Sequence, residues 1–161
     1  MIINAKVLTA REFKPFGQVL MGRDKGEERL AYAAKMHNSR VAAKPNMTFM
    51  RLLPAKQPIL IECLERHVYS NQTFIPLGGT HHLVAVCPSD KKGQPVIDKL
   101  VAFVADGSQA VNYNAGIWHA PRTVIKGPGA FIMFRWDEEN PLDVELLQLE
   151  VAVKINLISL T

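Results

Sequence analysis

Cysteine is scarce in this chain, and its scarcity removes several kinds of chemistry at once. Only Cys63 and Cys87 occur among 161 residues, with no C-x-x-C or other metal-ligand spacing. Both lie in apolar, strand-like runs and read as small buried hydrophobes. A nucleophilic cysteine needs a neighbouring base and an electropositive setting, and the sequence shows neither. Long apolar runs are also missing: no stretch approaches the roughly 20 residues that span a bilayer as a helix. The N-terminus, Met1 to Lys6, lacks the basic region, apolar run and cleavage site of a secretory signal, so the expectation is a cytoplasmic protein. Basic residues outnumber acidic ones, 19 to 15, but they are scattered from Arg23, Lys25 and Arg29 to Lys91, Lys92 and Lys99. Without a basic helix or interleaved aromatics, no nucleic-acid partner is expected. A net charge of +4 instead suits the capture of a small carboxylate.

What is present is a chain built for a core. Apolar residues make up 48% and charged residues 21%, which is globular composition, and the length suits a single domain spanning 1–161. Thr9-Ala10-Arg11-Glu12 has capping-box spacing, and Phe13 and Phe16 follow before Gly17, predicting one short helix near the start. From Thr48 onward the pattern is strand after strand. Ile59, Ile61, Cys63, Glu65 and His67 are read on one face, with Leu60, Leu64 and Val68 on the other. Further strands are predicted over 72–77, 82–87, 100–105, 109–113 and 130–136, with turns at Gly78-Gly79, Asp106-Gly107, Ala115-Gly116 and 127–129. Evenly spaced strands with little helix imply an all-β barrel or jelly roll. The tail from Asp143 fits either a helical turn, through Leu146, Leu147 and Leu149, or an edge strand through Val151, Val153, Ile155 and Leu157. An apolar edge of that kind favours a second subunit. Residues 21–47 are the least regular and are read as a flap.

Two polar stretches stand out against this apolar background. The first is Glu65-Arg66-His67-x4-Gln72; the second runs from Gly107 through Asn112, Tyr113 and Gly116 to Trp118 and His119. Their spacing is that of a double-stranded β-helix in which two hairpins aim polar groups into one cavity. Where a metal-binding barrel of this kind carries His-x-His-x4-Glu, this chain has Glu65, His67 and Gln72. His67, Gln72 and His119 are the candidate catalytic residues. Glu65, Asn112, Tyr113 and Arg135 are candidate substrate contacts, Glu65 having a salt bridge with Arg51 or Arg135 as its alternative. His81-His82 is read as a solvated pair in a turn.

The stretches Leu64-Glu65-Arg66-His67-x4-Gln72-x-Phe74-Ile75-Pro76 and Gly107-x-Gln109-x-Val111-Asn112-Tyr113-x-x-Gly116-x-Trp118-His119-x-Pro121 resemble the ureidoglycolate lyase family, and the lead-in Glu12 to Gly17 is similar as well. The resemblance covers residues 8–20 and 55–136. The chain differs from the family pattern at Ala120, over 27–38, and at Arg135-Trp136-Asp137. The resemblance implies a cupin-like jelly-roll barrel with one or two short peripheral helices, usually a homodimer. It also implies cleavage of ureidoglycolate into glyoxylate and urea, a step of allantoin degradation in purine metabolism.

That reaction asks for a base at the hydroxyl and an acid at the departing nitrogen, tasks suited to the imidazoles of His67 and His119. Gln72 is expected to bind the urea group. A rim cation, Arg135 or one within 23–51, is expected to bind the carboxylate. No cofactor is required by this scheme. The competing arrangement is a divalent ion, nickel in this family, held by His67, Gln72 and His119 or with Glu65. The alternatives are another cupin enzyme, an isomerase or metal oxygenase acting on a different small acid, or a non-catalytic small-molecule-binding barrel.

Overall fold

The computed structural model describes residues 1–21, 26, 29, 31 and 35–157. In chain order the described elements are β1 (Ile2–Asn4), β2 (Lys6–Val7), α1 (Ala10–Phe13), β3 (Gly17–Leu20), β4 (Lys44–Leu52), β5 (Ile59–Arg66) and β6 (Gln72–Pro76). There follow β7 (His82–Cys87), β8 (Val101–Ala105), β9 (Ala110–Tyr113), β10 (Trp118–His119), β11 (Thr123–Val124), β12 (Gly129–Asp137) and β13 (Glu145–Asn156). They form two sheets. The larger has the order β1-β13-β5-β10-β7-β8-β2, with β11 added to β7; the smaller has the order β3-β9-β6-β12-β4. Neighbours distant in sequence interleave in both, as a jelly roll requires, and the fold is the all-β, cupin-like barrel anticipated above. No described helix is long and apolar enough to cross a membrane.

The barrel interior is filled from both sheets, by Val84, Val86, Phe103 and Ala105 on one side and Val19, Phe74, Val111 and Tyr113 on the other. Leu8 and Phe13 join them, so α1 closes one end, its capping residue Thr9 accepting from the Glu12 N–H at 3.2 Å. A second apolar cluster covers the far face of the larger sheet: Leu83, Ala85 and Cys87 alternate with the inward residues of β7 and pack with Ala102, Val104 and Trp118. Burial on both faces explains why β7 reads as a continuous apolar run.

Three sequence expectations need correction here. Ile59 and Ile61 lie in the far-face cluster together with Leu64, so β5 changes phase within Glu62-Cys63 rather than keeping one face as far as His67. The cause is the pairing with β13. Gln148 opposes Cys63 and Val153 opposes Ile61, so four residues of β13 stand against one of β5. Second, the tail is one twelve-residue strand between β5 and β1, not a helical turn or a bare edge. Third, His82 opens β7 and is fully buried; only His81 keeps partial exposure. The expected 21–47 flap lies partly outside the described residues, and its described end becomes β4 at Lys44.

Two glycines fix the hairpins that carry the polar stretches. Gly116 has φ 77°, the left-handed conformation that side chains resist. Gly107 is needed for closeness: a Cβ there would stand 2.3 Å from Gly79 Cα and 2.6 Å from Gly78 O. Gly107→Ala is therefore expected to push the 78–79 turn away and cost about 1–3 kcal/mol. A fall in thermal midpoint with unchanged strand content by circular dichroism would check it.

Candidate active site

The two stretches converge through the sheet pairing. On β10, Trp118 turns to the far-face cluster, so its neighbour His119 must point into the barrel. His119 lies opposite Glu65 of β5, which brings both side chains to the same inner surface. His67 follows at the end of β5, where its carbonyl accepts from the Gly116 N–H at 2.7 Å and ties the two hairpins together. Gln72 is the first residue of β6 and reaches His119 from the facing sheet.

Hydrogen bonds fix the orientation of both imidazoles. A carbonyl only accepts, so His67 Nδ1, 2.8 Å from Asp143 O, carries a hydrogen and donates it. His119 Nδ1 does the same toward Ile117 O at 2.9 Å. Both Nε2 atoms therefore face the site. His67 Nε2 is buried and has no hydrogen-bond partner among the described residues. His119 Nε2 lies 2.8 Å from Gln72 Oε1 and 3.2 Å from Glu65 Oε1. Two acceptors converging on one nitrogen require a hydrogen or a cation there.

The surroundings push the two acid–base groups in useful directions. Burial alone would raise the Glu65 carboxyl, but the hydrogen bond to His119 and the charges of His119, His67 and Arg122 outweigh it, holding Glu65 ionised below its ordinary value. Burial, assisted by repulsion from His119, pushes His67 down to about 4, so its Nε2 keeps a lone pair at neutral pH. The Tyr113 ring stacks on His119 at 4.2 Å and 9°. Its hydroxyl accepts from Arg122 Nη2 at 3.1 Å, and the same guanidinium lies 4.2 Å over Phe74.

Of the other expected contacts, Arg135 is well situated and Asn112 is not. Arg135 opposes Gln72 across β12 and β6, and its charge is felt at His67. Its Nη2 donates to Asp137 Oδ2 at 2.6 Å, while its buried Nε has no partner among the described residues. It lines a cleft of about 460 Å³ together with Asp137, Glu139, Asn140, Pro141, Asp143 and Val144. Asn112 points out of the barrel instead, into a buried amide network with Asn71, Thr73 and Gln18. Tyr113 lines the site but acts as a platform, being fully buried. Glu65 partners His119 rather than Arg51 or Arg135. A cleft of about 670 Å³ between α1, β3 and residues 35–37 lies away from this chemistry.

Glu65, His67 and His119 each offer a ligand atom, all within 4.8 Å of one another. Both histidines donate their other ring nitrogen to a backbone carbonyl, as metal-ligating histidines do. The orphaned His67 Nε2 and the acceptor-crowded His119 Nε2 fit a divalent ion as well as they fit a proton relay. Sequence reasoning missed Asp143, Arg40 and Arg122 as supports of this site. Arg122, three residues past His119, carried a weak signal; Asp143 acts through its backbone and carried none.

A family model described as ureidoglycolate lyase matches residues 1–156. The chain is 31% identical to a putative ureidoglycolate lyase of Agrobacterium fabrum, over 99% of this chain and 98% of that one. It is 30% identical to the ureidoglycolate lyase of Schizosaccharomyces pombe, over 96% and 97% respectively. With the ureidoglycolate lyase of Mesorhizobium japonicum the identity is 31%, over 81% of this chain and 83% of that one.

Proposed function

The chain belongs to the ureidoglycolate lyase family, and from that premise we propose that it cleaves ureidoglycolate to glyoxylate and urea by acid–base elimination, as a carbon–nitrogen lyase. The observation that carries this reading is the opposed pair of imidazoles, one with a bare Nε2 and one hydrogen-bonded at Nε2 to a carboxylate. His67 Nε2 takes the hydroxyl proton of the substrate. The C–O bond becomes a carbonyl, the C–N bond breaks, and its electron pair goes to the departing nitrogen. His119 Nε2 supplies the proton that completes urea, and Glu65 holds that proton in place beforehand. No water is consumed and nothing is oxidised.

Arg135 is the partner for the substrate carboxylate in this scheme, and Gln72 for its ureido group. The bound carboxylate also raises the basicity of His67 at the moment it is needed, since a nearby anion favours the protonated ring. A divalent ion held by Glu65, His67 and His119, with Gln72 beside them, would supply charge stabilisation to the substrate's hydroxyl and carboxylate oxygens. Both Nδ1–H groups being committed to backbone carbonyls, such an ion would take up the two Nε2 atoms, so it is an alternative to the acid–base scheme and not an addition to it. We also propose a homodimer, supported by the exposed Met47, Phe49, Ile75 and Leu77 on the smaller sheet. A cytoplasmic setting is supported by the free thiols Cys63 and Cys87.

The test is glyoxylate release from ureidoglycolate against the uncatalysed rate, with and without a chelator. Turnover that survives chelation is expected. Loss on chelation would make the ion part of the catalyst, and no turnover by metal-replete protein would sink the lyase reading. In the same assay Arg135→Met is expected to raise KM about 10-fold or more, with kcat little changed, because it removes a charge-assisted contact to the carboxylate.

A further inference from the structure

We propose that Asp143, clamped by Arg40, is a positioning residue for His67, presenting the backbone carbonyl that decides which imidazole nitrogen faces the barrel. The activity part of this inference rests on the lyase reading above; the structural part does not. Residues 138–144 connect β12 to β13 and take no part in the sheet ladders, so side-chain contacts must hold them. Several of those contacts converge on the Asp143 carboxylate. It accepts from Arg40 Nη1, from the Glu138 N–H at 3.0 Å and from the Asn140 N–H at 3.1 Å. Asn140 reciprocates by accepting from the Leu142 N–H at 2.8 Å, completing a capping box on the short turn Pro141–Asp143. Just before the turn, Glu139 sits at φ 58°, in the left-handed region, with its N–H donating to Asp137 Oδ1 at 2.7 Å.

Arg40 anchors the assembly to the rest of the protein. It donates to Trp136 O at 3.2 Å, pairs with Glu138, and lies 5.3 Å over the Tyr69 ring. Among the described residues it makes no hydrogen bond to His67, Glu65 or His119. The structural output of this clamp is one contact, His67 Nδ1–H to Asp143 O at 2.8 Å. With that acceptor withdrawn, the buried Nδ1–H loses its partner and the ring shifts toward the tautomer with hydrogen on Nε2. That hydrogen would occupy the lone pair that now faces the site.

The experiment is Arg40→Met in the full-length protein, with 15N-histidine NMR at neutral pH and steady-state kinetics on ureidoglycolate. The expected result is growth of the Nε2–H tautomer of His67 and a kcat lowered about 10-fold or more, with KM within about twofold. Arg40→Lys, which keeps a charge on Asp143, is expected to restore part of both. Unchanged tautomer signals and unchanged kcat, despite a lowered thermal midpoint, would overturn the proposal. Should Arg40→Met fail to fold, Asn140→Ala removes one strut of the turn, and the absence of any tautomer shift there overturns it equally. A wild type inactive on ureidoglycolate would remove the lyase reading but leave the tautomer result standing.

Discussion

His119→Ala is expected to lower glyoxylate release from ureidoglycolate by about 10²–10⁴-fold, the range over which a positioned general acid usually acts. Every contact of this side chain points the same way. Its Nδ1–H is committed to Ile117 O, its ring plane is set by Tyr113, and its Nε2 is the meeting point of Glu65 and Gln72. Removing it deletes the proton donor and also strands a carboxylate inside the barrel, which costs about 3–5 kcal/mol when one member of a buried pair is lost. A low rate alone would then confuse chemistry with folding. The double variant Glu65→Gln/His119→Ala separates them: it carries no stranded charge and should melt closer to the wild type, yet remain as inactive as His119→Ala. Recovery of more than a small part of the activity in that folded double variant would remove His119 from the acid role. The two substitutions should also combine far less than additively, because residues that act as one unit fail together.

The sequence carried the site's partners better than their directions. Glu65, His67, Gln72 and His119 meet because two short motifs, each closed by a glycine turn, mark the ends of strands that must face one another in a small barrel. Strand β7 was legible because six apolar or aromatic-like residues between turns leave few alternatives to a strand buried on both faces. The burial of its first residue was not: the strand is expected from His82 onward, yet Gly78-Gly79 makes the His81-His82 pair look solvated, and the pairing of His82 with Ala105 carries it inside. Strand β5 shows the general obstacle. Its phase change is imposed by three extra residues of β13, some ninety positions away, and nothing local marks it. Asn112 and Tyr113 are adjacent, so a strand sends only one of them inward; both were read as site residues, and the barrel takes Tyr113. Asp143 lies beyond any sequence reading of this kind, since its contact with His67 is made by a carbonyl that every residue possesses.

Acidification should destabilise this fold well before its carboxylates are exhausted, because two histidines are buried in the neutral form. His67 is pushed by burial from 6.5 to about 4, and His82, by burial and the neighbouring Arg122, from 6.5 to about 3. Both folded values lie below the unfolded one, so between them the unfolded chain binds protons that the folded chain refuses. The stability contributed by keeping each ring neutral is complete above pH 6.5 and is lost as pH falls through the folded value. At about 1.4 kcal/mol per pH unit, the upper bounds are roughly 3 kcal/mol for His67 and 5 kcal/mol for His82. Against a total of about 5–15 kcal/mol for an ordinary domain, that is a large share. His82 is the cleaner probe. It lies edge-on to Phe131, its Nε2 has no partner among the described residues, and it is outside the proposed catalytic set. His82→Leu should therefore melt near the wild type at pH 7.5 and clearly above it at pH 4.5, the reverse of what loss of a stabilising ion pair would give. Parallel melting curves for the two proteins across that range would mean that His82 takes up its proton in the folded barrel, with Arg122 having moved aside.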